Sequence, residues 1–332
     1  MKYATGVILL RFFPLIVCLS VKSEGFDASG PVGFHTITIP GNGSALIGML
    51  PRENVVLSDV LDSASGTILT DSNNDFRILL SAPSAYVVEL NTGKNEGKVL
   101  DVVSFNEHEL IVSEAVEPET NVACSVRALR RLSEIINPLL LLSTHDYDPD
   151  KADLILVPTK SGSFNRFFVS SHTRYPVGFF NAETGLPEDP YLHYSKSILV
   201  FRRAATDLTL TISGSIKDKR TSLPVNDIFN YFSSLTILSV NLSNSDLDKY
   251  MHPGNDRTAD IVWIQESPAK PFQRYFYSDG MQNGLASGWW KLGDPLSRID
   301  PSEVVLGSGF IIQRRSQESY NVILAPLESK RP

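Results

Sequence analysis

Two stretches of this sequence repeat one another: ADLILVPTKSGSFNRFFVSS at residues 152–171 and ADIVWIQESPAKPFQRYFYSD at residues 259–279. Each begins with Ala-Asp, passes through an apolar run and a polar turn, and ends in Phe-x-Arg-aromatic-Phe. The apolar runs here and elsewhere are short, rich in Val, Ile, Phe and Tyr, and bounded by Gly, Pro, Asn and Ser, which is typical of β-strands. The chain is therefore predicted to be all-β and mainly antiparallel.

The repeat extends beyond these two stretches. Asp153 and Asp260 are 107 residues apart, and Arg203 and Arg315, further along, are 112 apart. Landmarks that keep their order with such small drift indicate a duplicated unit with loop insertions. We predict two repeated β-rich modules with short helices, sandwich- or barrel-like, over residues 26–232 and 233–332.

The first module is predicted to carry extra elements. Residues from about 84 to 115 read as strands joined by polar turns and have no counterpart in the second copy, which predicts an inserted β-hairpin region. Val126, Leu129, Leu132 and Ile136 share one face at helical spacing. This spacing predicts a short helix over about 125–136.

The N-terminus has the pattern of a secretory signal peptide. Lys2 and Arg11 precede an apolar run too short to span a bilayer, and Ser23 offers a small residue at the cleavage point. We expect residues 1–23 to be removed and the mature protein to be exported to the periplasm, the cell surface or the medium. The alternative is a buried N-terminal strand, in which Arg11 and Pro14 would fit poorly.

Charge and cysteine content narrow the range of partners. Removal of Lys2, Arg11 and Lys22 changes the net charge from −7 to −10, and this balance argues against nucleic acid and anionic membrane surfaces. No second stretch has the length of a membrane helix. Only Cys124 remains after the signal peptide, so no intramolecular disulfide is expected. The oligomeric state stays open.

Arginine pairs end two apolar rows, in SILVFRR and in GFIIQRR. Arg202 and Arg314 occupy the same face as the apolar residues before them, so each is expected at the rim of a core with a carboxylate partner. Asp153 and Asp260 are the candidates for these structural ion pairs. The alternative is a repeated anion site.

An acidic loop, HDYDPDKAD, places Asp146, Asp148 and Asp150 at alternate positions, as calcium loops begin. The pattern then fails, because Lys151 stands where the turn glycine belongs. A solvated acidic loop is the preferred interpretation, with calcium as the alternative. The six histidines are scattered without metal-binding spacing, and neither a metal nor any other cofactor is expected.

The most aromatic region surrounds Trp289 and Trp290, with Tyr275 and Tyr277 nearby. Neighbouring strand residues face opposite ways, so one tryptophan is expected in the core while the other is available to a sugar ring or a protein. The alternative is that loops cover both.

The motifs YFY (275–277), GWW (288–290) and GSGFIIQRR (307–315), with GPVGFHTITIP at residues 30–40, resemble an uncharacterised family of exported, paralogue-rich verrucomicrobial proteins. The resemblance runs from Pro31 to about Arg315. Phe179 and Phe180 depart from the Gly-Trp of the usual pattern. The resemblance implies export and a β-rich fold, and no activity.

No catalytic residues are predicted, because the chain has neither a Gly-x-Ser-x-Gly elbow nor an activated cysteine. The expected function is non-enzymatic: a structural, adhesive or binding component at the cell surface or outside it, with proteins or glycans as partners. The alternative is a carbohydrate-binding or polysaccharide-acting protein that uses the Trp289/Trp290 region.

Overall fold

The computed structural model describes residues 32–50, 55–81, 84–159, 162–172, 174–217, 219–236, 240–281, 284–293 and 295–324. The predicted signal peptide and its cleavage point lie outside the described residues.

The elements, in chain order, are short strands with a few very short helices. The first strands are β1 (Val32–Ile39), β2 (Ser44–Ile47), β3 (Val55–Thr70), β4 (Tyr86–Leu90), β5 (Val99–Phe105), β6 (Glu109–Ala128), β7 (Arg130–Arg131) and β8 (Ser143–Thr144). They are followed by β9 (Leu154–Pro158), β10 (Phe164–Ser170), β11 (Gly178–Asn181), β12 (Tyr191–Leu192), β13 (Ile198–Phe201) and β14 (Leu208–Ser215). The last are β15 (Thr221–Val225), β16 (Phe229–Ser233), β17 (Ile261–Ile264), β18 (Gln273–Ser278), β19 (Gly288–Lys291), β20 (Ser297–Arg298), β21 (Gly309–Gln313) and β22 (Tyr320–Leu324). The helices are α1 (Phe76–Leu79), α2 (Leu132–Ile135) and α3 (Leu247–Tyr250), with 3₁₀ turns at Pro138–Leu140 and Pro149–Lys151.

The all-β fold class is confirmed: strands hold 49% of the residues and the sheets are antiparallel apart from the parallel pair β8 and β10. The helix predicted over about 125–136 is wrong for most of its length. Residues up to Ala128 belong to β6, and only Leu132–Ile135 is helical. Val122, Cys124 and Val126 are buried at a strand period of two, and this alternation outweighs the helical spacing that begins at Val126.

Two six-stranded sheets have the same order of strands. In the first sheet the order is β11-β10-β9-β13-β2, with β8 added beside β10. In the second sheet it is β16-β21-β17-β18-β19-β20. Each sheet therefore contains three consecutive strands joined as hairpins, β9-β10-β11 or β17-β18-β19. A strand that comes later in the chain, β13 or β21, pairs with the first of these three. A strand that comes earlier in the chain, β2 or β16, lies at the edge. Two-stranded ribbons, β1 with β14 and β15 with β22, accompany them.

A third, curled sheet has the order β3-β6-β4-β5 and contains the two longest strands of the fold, β3 and β6. Their pairing has register shifts near Gly66, where β-bulges bend the strands. The concave side holds a core of its own, which includes Leu61, Phe76 and Cys124. This sheet therefore has a core of its own, while Val87 of β4 belongs to the core of the first six-stranded sheet.

The two six-stranded sheets meet at their edge strands. The N–H of Met49, just after β2, donates to Oγ of Ser233 at the end of β16 (2.7 Å), and that hydroxyl donates to the carbonyl of Met49 (2.6 Å). The N–H of Leu46 in β2 donates to Oε1 of Gln265 after β17 (2.8 Å). Each edge that would expose unpaired backbone groups is thus partly covered by the other sheet.

Gly48 makes this junction possible, because a Cβ there would lie 1.6 Å from the carbonyl oxygen of Ser308. We expect Gly48→Ala to force the two sheets apart and to lower the free energy of unfolding by about 3 kcal/mol. The matched control is Gly178→Ala in β11, where the nearest atom would be 3.8 Å away and the effect should stay within about 0.5 kcal/mol. Urea unfolding checks both. Equal losses for the two variants would contradict the proposed close approach.

Candidate functional site

Asp153 lies at the start of β9 and is fully buried. One carboxylate oxygen, Oδ2, receives Nη1 of Arg202 and the N–H of Leu142 (2.9 Å), and the other, Oδ1, receives the N–H of Arg203 (2.7 Å). The structure thus brings Arg202 and Asp153 together. A buried carboxylate is tolerated only with such complete pairing.

Arg202 has further acceptors for its guanidinium. Nε donates to the carbonyl of Thr206 (2.9 Å), Nη2 to the Thr206 hydroxyl (3.1 Å), and Nη1 also to the carbonyl of Leu140 (3.2 Å). An arginine whose donors are directed at protein acceptors has little left for an external anion. The geometry favours the structural ion pair over the anion site at this position.

Asp260, at the start of β17, is buried in the same way as Asp153. Its predicted pairing with Arg314 is wrong. Oδ1 receives the N–H groups of Arg315 (2.6 Å) and Ser316 (3.0 Å), and Oδ2 receives the hydroxyl of Tyr320 (2.6 Å). Burial first, and then the bond to Asp260, raise the pKa of Tyr320 well above its ordinary value. The hydroxyl therefore stays protonated and takes the place of the arginine.

Arg314 turns away from this carboxylate. Its guanidinium donates to the carbonyls of Gln317 (3.0 Å) and Asn226 (2.8 Å), near the surface. It ties the chain after β21 to the turn after β15 through neutral acceptors only.

The four aromatic candidates do not form one exposed surface. Trp289 (4% exposed) and Tyr275 (2%) are core residues, so the prediction of a ligand surface is wrong for both. Trp290 is half-buried and donates Nε1–H to the carbonyl of Ala286 (3.0 Å). Tyr277 packs edge-on against Trp289 at a centroid distance of 5.7 Å.

A surface hollow of 270 Å³ lies beside Trp289 and Tyr277. Asp248 and Arg298 are the charged residues that line it. A polysaccharide-cleaving site needs two carboxylates that flank one bond, and the described lining of this hollow contains one, Asp248.

The acidic loop neutralises itself. Nζ of Lys151 lies 2.6 Å from Oδ2 of Asp146 and 3.4 Å from Oδ2 of Asp148, while Asp150 lies 3.5 Å from the guanidinium of Arg203. The hydrogen bond from Lys151 is the largest of the effects that lower the pKa of Asp146 to about 2. Among the described residues, no three His, Cys, Asp or Glu side chains are placed to hold a metal ion.

A different site, which we call the junction cavity, lies where the curled sheet, the first six-stranded sheet and β15 with the turn after it meet. It has a volume of about 260 Å³. Its charged and hydroxyl-bearing lining includes Asp101, Ser113, Glu114, Thr159, His193, Ser195, Lys196, Ser222 and Asp227. A cavity of mixed polarity at the meeting point of several elements is the usual form of a small-ligand site.

His193 makes polar contacts through both of its ring nitrogens in the wall of the junction cavity. Its Nδ1 accepts the N–H of Ser195 (3.2 Å) and lies 2.7 Å from the Ser195 hydroxyl, which leaves Nε2 for Asp101, 3.8 Å away. This order of hydroxyl, imidazole and carboxylate is the one that activates a serine nucleophile.

Other contacts indicate that His193 and Ser195 form part of a hydrogen-bonded turn. The N–H groups that would have to stabilise an oxyanion are engaged: that of Lys196 donates to the carbonyl of His193 (2.9 Å) and that of Ser197 to the carbonyl of Tyr231 (3.4 Å). Ser195 is itself buried. His193 therefore shapes the cavity wall and offers it an imidazole.

Beneath this wall lies a buried charge cluster that fastens the curled sheet to the first sheet. Oε1 of Glu89 in β4 is 3.0 Å from Nζ of Lys217 and 3.2 Å from Nε of Arg127, and it accepts the hydroxyl of Tyr194. The Tyr194 ring stacks on His193 at 5.4 Å. Burial alone would raise the pKa of Glu89, but Lys217, Arg127 and Tyr194 together lower it below the ordinary value.

The sequence reasoning missed the junction cavity, whose residues come from β5, β6, the segment after β12 and the turn after β15. The one local signal was PYLHYSKS (190–197), a stretch between strands that combines histidine, tyrosine, serine and lysine. Such a segment indicates a site only when its surroundings are known.

Comparisons of this chain with protein-family models, curated proteins and solved structures give no match. None of the described helices has the length and apolar character needed to cross a membrane.

The pairing of Arg202 generates a stability prediction. Arg202→Ala leaves the buried Asp153 uncompensated and should lower the free energy of unfolding by about 3 kcal/mol. Arg314→Ala should lower it by about 1 kcal/mol, because the arginine bonds only to carbonyls near the surface. Arg203→Ala, which removes an exposed side chain, should stay within about 0.5 kcal/mol. Urea unfolding ranks the three, and equal effects of Arg202→Ala and Arg203→Ala would contradict a structural role for Arg202.

The cluster at Glu89 predicts a dependence on pH. Since the pKa of Glu89 is lowered on folding, its ionised form stabilises the fold above its unfolded pKa of about 4.3, and this contribution disappears as pH falls through the lower folded value. Glu89→Gln should be less stable by about 3 kcal/mol at pH 7, and the gap to the parent chain should narrow as pH is lowered toward 3. Urea unfolding at the two pH values tests this, with exposed Glu96→Gln as the control. A gap that stays constant would show that the ion pairs do not set the difference.

Proposed function

We propose that this chain is an exported, non-enzymatic β-rich protein that acts as a binding component at the cell surface or outside it, and that it binds its ligand in the junction cavity. The observation that carries the proposal is the cavity itself: about 260 Å³, bounded by three sheets and lined by carboxylates, hydroxyls, an imidazole and an ammonium group. That volume and lining suit a small polar ligand, such as one unit of a glycan.

Export in this proposal rests on the signal-peptide pattern of residues 1–23 and on the resemblance to the verrucomicrobial family. The proposal also includes the duplication of a β module. One support is the common strand order of the two six-stranded sheets. The other is the pair of buried residues Asp153 and Asp260, which accept consecutive backbone N–H groups from the chain just after β13 and just after β21. Hydrogen bonds from the Ser233 and Gln265 side chains to the backbone of Met49 and Leu46 join the two sheets.

The binding function is preferred to a catalytic one because of the contacts around Ser195. Its hydroxyl is within hydrogen-bond reach of an imidazole, yet the neighbouring N–H groups are already bonded within the fold. A serine hydrolase directs such groups at the substrate oxygen.

The second candidate is carbohydrate binding at the Trp289/Trp290 region. It is favoured by the hollow of 270 Å³, which Tyr277 and Arg298 line beside the largely buried Trp289. Aromatic and charged groups together suit a sugar ring.

One binding experiment separates the two sites. The exported chain is applied to an array of glycans and free sugars, alongside Ser113→Trp, which fills the junction cavity, and Ser104→Trp, which places the same indole on an exposed part of β5. We expect Ser113→Trp to abolish binding, and Ser104→Trp and Tyr277→Ala, which changes the hollow of the second candidate, to retain it. Loss with Tyr277→Ala alone would move the function to the second candidate, and binding unaffected by either change would overturn both.

A further inference from the structure

The charges of the junction cavity are unequal. Among the described residues, three carboxylates line it, Asp101 from β5, Glu114 from β6 and Asp227 from the turn after β15, with one lysine, Lys196. Asp101 and Glu114 belong to the paired strands β5 and β6, and Asp227 faces the cavity from a different element. A partly enclosed cavity with walls of low dielectric focuses the potential of such an excess of negative charge.

Two of the carboxylates have no internal partner. Within the described residues, the side chains of Glu114 and Asp227 make no hydrogen bond and no ion pair, whereas Asp101 faces Nε2 of His193 at 3.8 Å. The ammonium of Lys196 lies over the ring of Phe232, 5.2 Å from its centroid, which gives it an aromatic contact as well. The unpaired carboxylates are therefore available to a cation that enters the cavity.

The remaining lining limits what the cation can be. Met49, Val99 and Ile198 form an apolar part of the wall, and among the described residues no three His, Cys, Asp or Glu side chains are placed to hold a metal ion such as calcium. Hydroxyls of Ser113 and Ser222 lie at other points of the wall. Carboxylates, hydroxyls and apolar groups spread around one space suit an extended organic ligand that has an ammonium group and hydroxyls on a compact ring.

We propose that the ligand class of the junction cavity is an amino sugar, bound with its ammonium group between Glu114 and Asp227 and its ring against the apolar wall. The inference rests on the proposed binding function and specifies its ligand. A charge-assisted hydrogen bond contributes about 1.5–3 kcal/mol, so the ammonium group should strengthen binding roughly tenfold or more over the neutral sugar. Salt should weaken this preference, because part of it is electrostatic.

The probes are glucosamine, glucose, N-acetylglucosamine and the ring-free diamine 1,5-diaminopentane, titrated calorimetrically into the exported chain at neutral pH. We expect glucosamine to bind at least about tenfold more tightly than glucose and N-acetylglucosamine, which have no ammonium group, and also more tightly than the diamine. Glu114→Gln and Asp227→Asn should each remove most of the preference for glucosamine over glucose. Glu183→Gln makes the same charge change at an exposed turn outside the cavity and should leave the preference intact.

The outcomes separate this inference from the function on which it rests. Equal binding of glucose and glucosamine, lost in Ser113→Trp, would overturn the ammonium site and leave the binding function standing. Diamine binding as tight as glucosamine binding would overturn the sugar ring as part of the ligand. If no probe and no glycan on the array bound the parent chain and Ser113→Trp differently, both the binding function and this inference would be overturned.

Discussion

Both six-stranded sheets depend on a buried aspartate at the start of one of their middle strands. Asp153 and Asp260 are fully covered, so each carboxylate must satisfy its charge inside the protein. Each does so by accepting consecutive backbone N–H groups from the chain that leaves the neighbouring strand, β13 or β21. The bonds fix where that strand ends and where the next ribbon begins. The need to satisfy a buried aspartate therefore acts in both sheets, and it also affects the position of the elements that pack on them.

The sequence identifies the carboxylates and the arginines, but it does not show which donor pairs with each carboxylate. Arg202 and Arg314 stand at matching places in matching strands, and the same ion pair was expected for both. In the first sheet Arg202 pairs with Asp153. In the second, Tyr320 reaches Asp260 from β22, 60 residues further along the chain, and supplies the donor instead. Because the Tyr320 hydroxyl and the N–H of His252 satisfy the remaining carboxylate oxygen, the half-buried arginine bonds to backbone carbonyls instead. Partner choice of this kind is decided by contacts distant in sequence.

The strand pattern was readable because alternation and turn residues are local properties, and the all-β class follows from them. Two other features could not be read in that way. The apolar spacing that begins at Val126 fits both a helix and the buried face of a long strand, and pairing of β6 with β3 and β4 decides for the strand. The junction cavity is assembled from side chains as far apart as Asp101 and Asp227. No spacing rule brings such residues together, since only the meeting of the sheets does so.

The position of the cavity also explains why two sheets of the same order need not do the same thing. Asp101 and Glu114 belong to the curled sheet, which packs on the first six-stranded sheet and is held there by the buried cluster at Glu89. On the proposed duplication, this sheet is the part of the first module that the second lacks. It supplies two of the three carboxylates found among the described residues of the junction cavity, while Asp227 comes from the turn between β15 and β16. The junction cavity therefore depends on a difference between the two six-stranded sheets: the curled sheet packs beside the first of them and closes one side of the cavity.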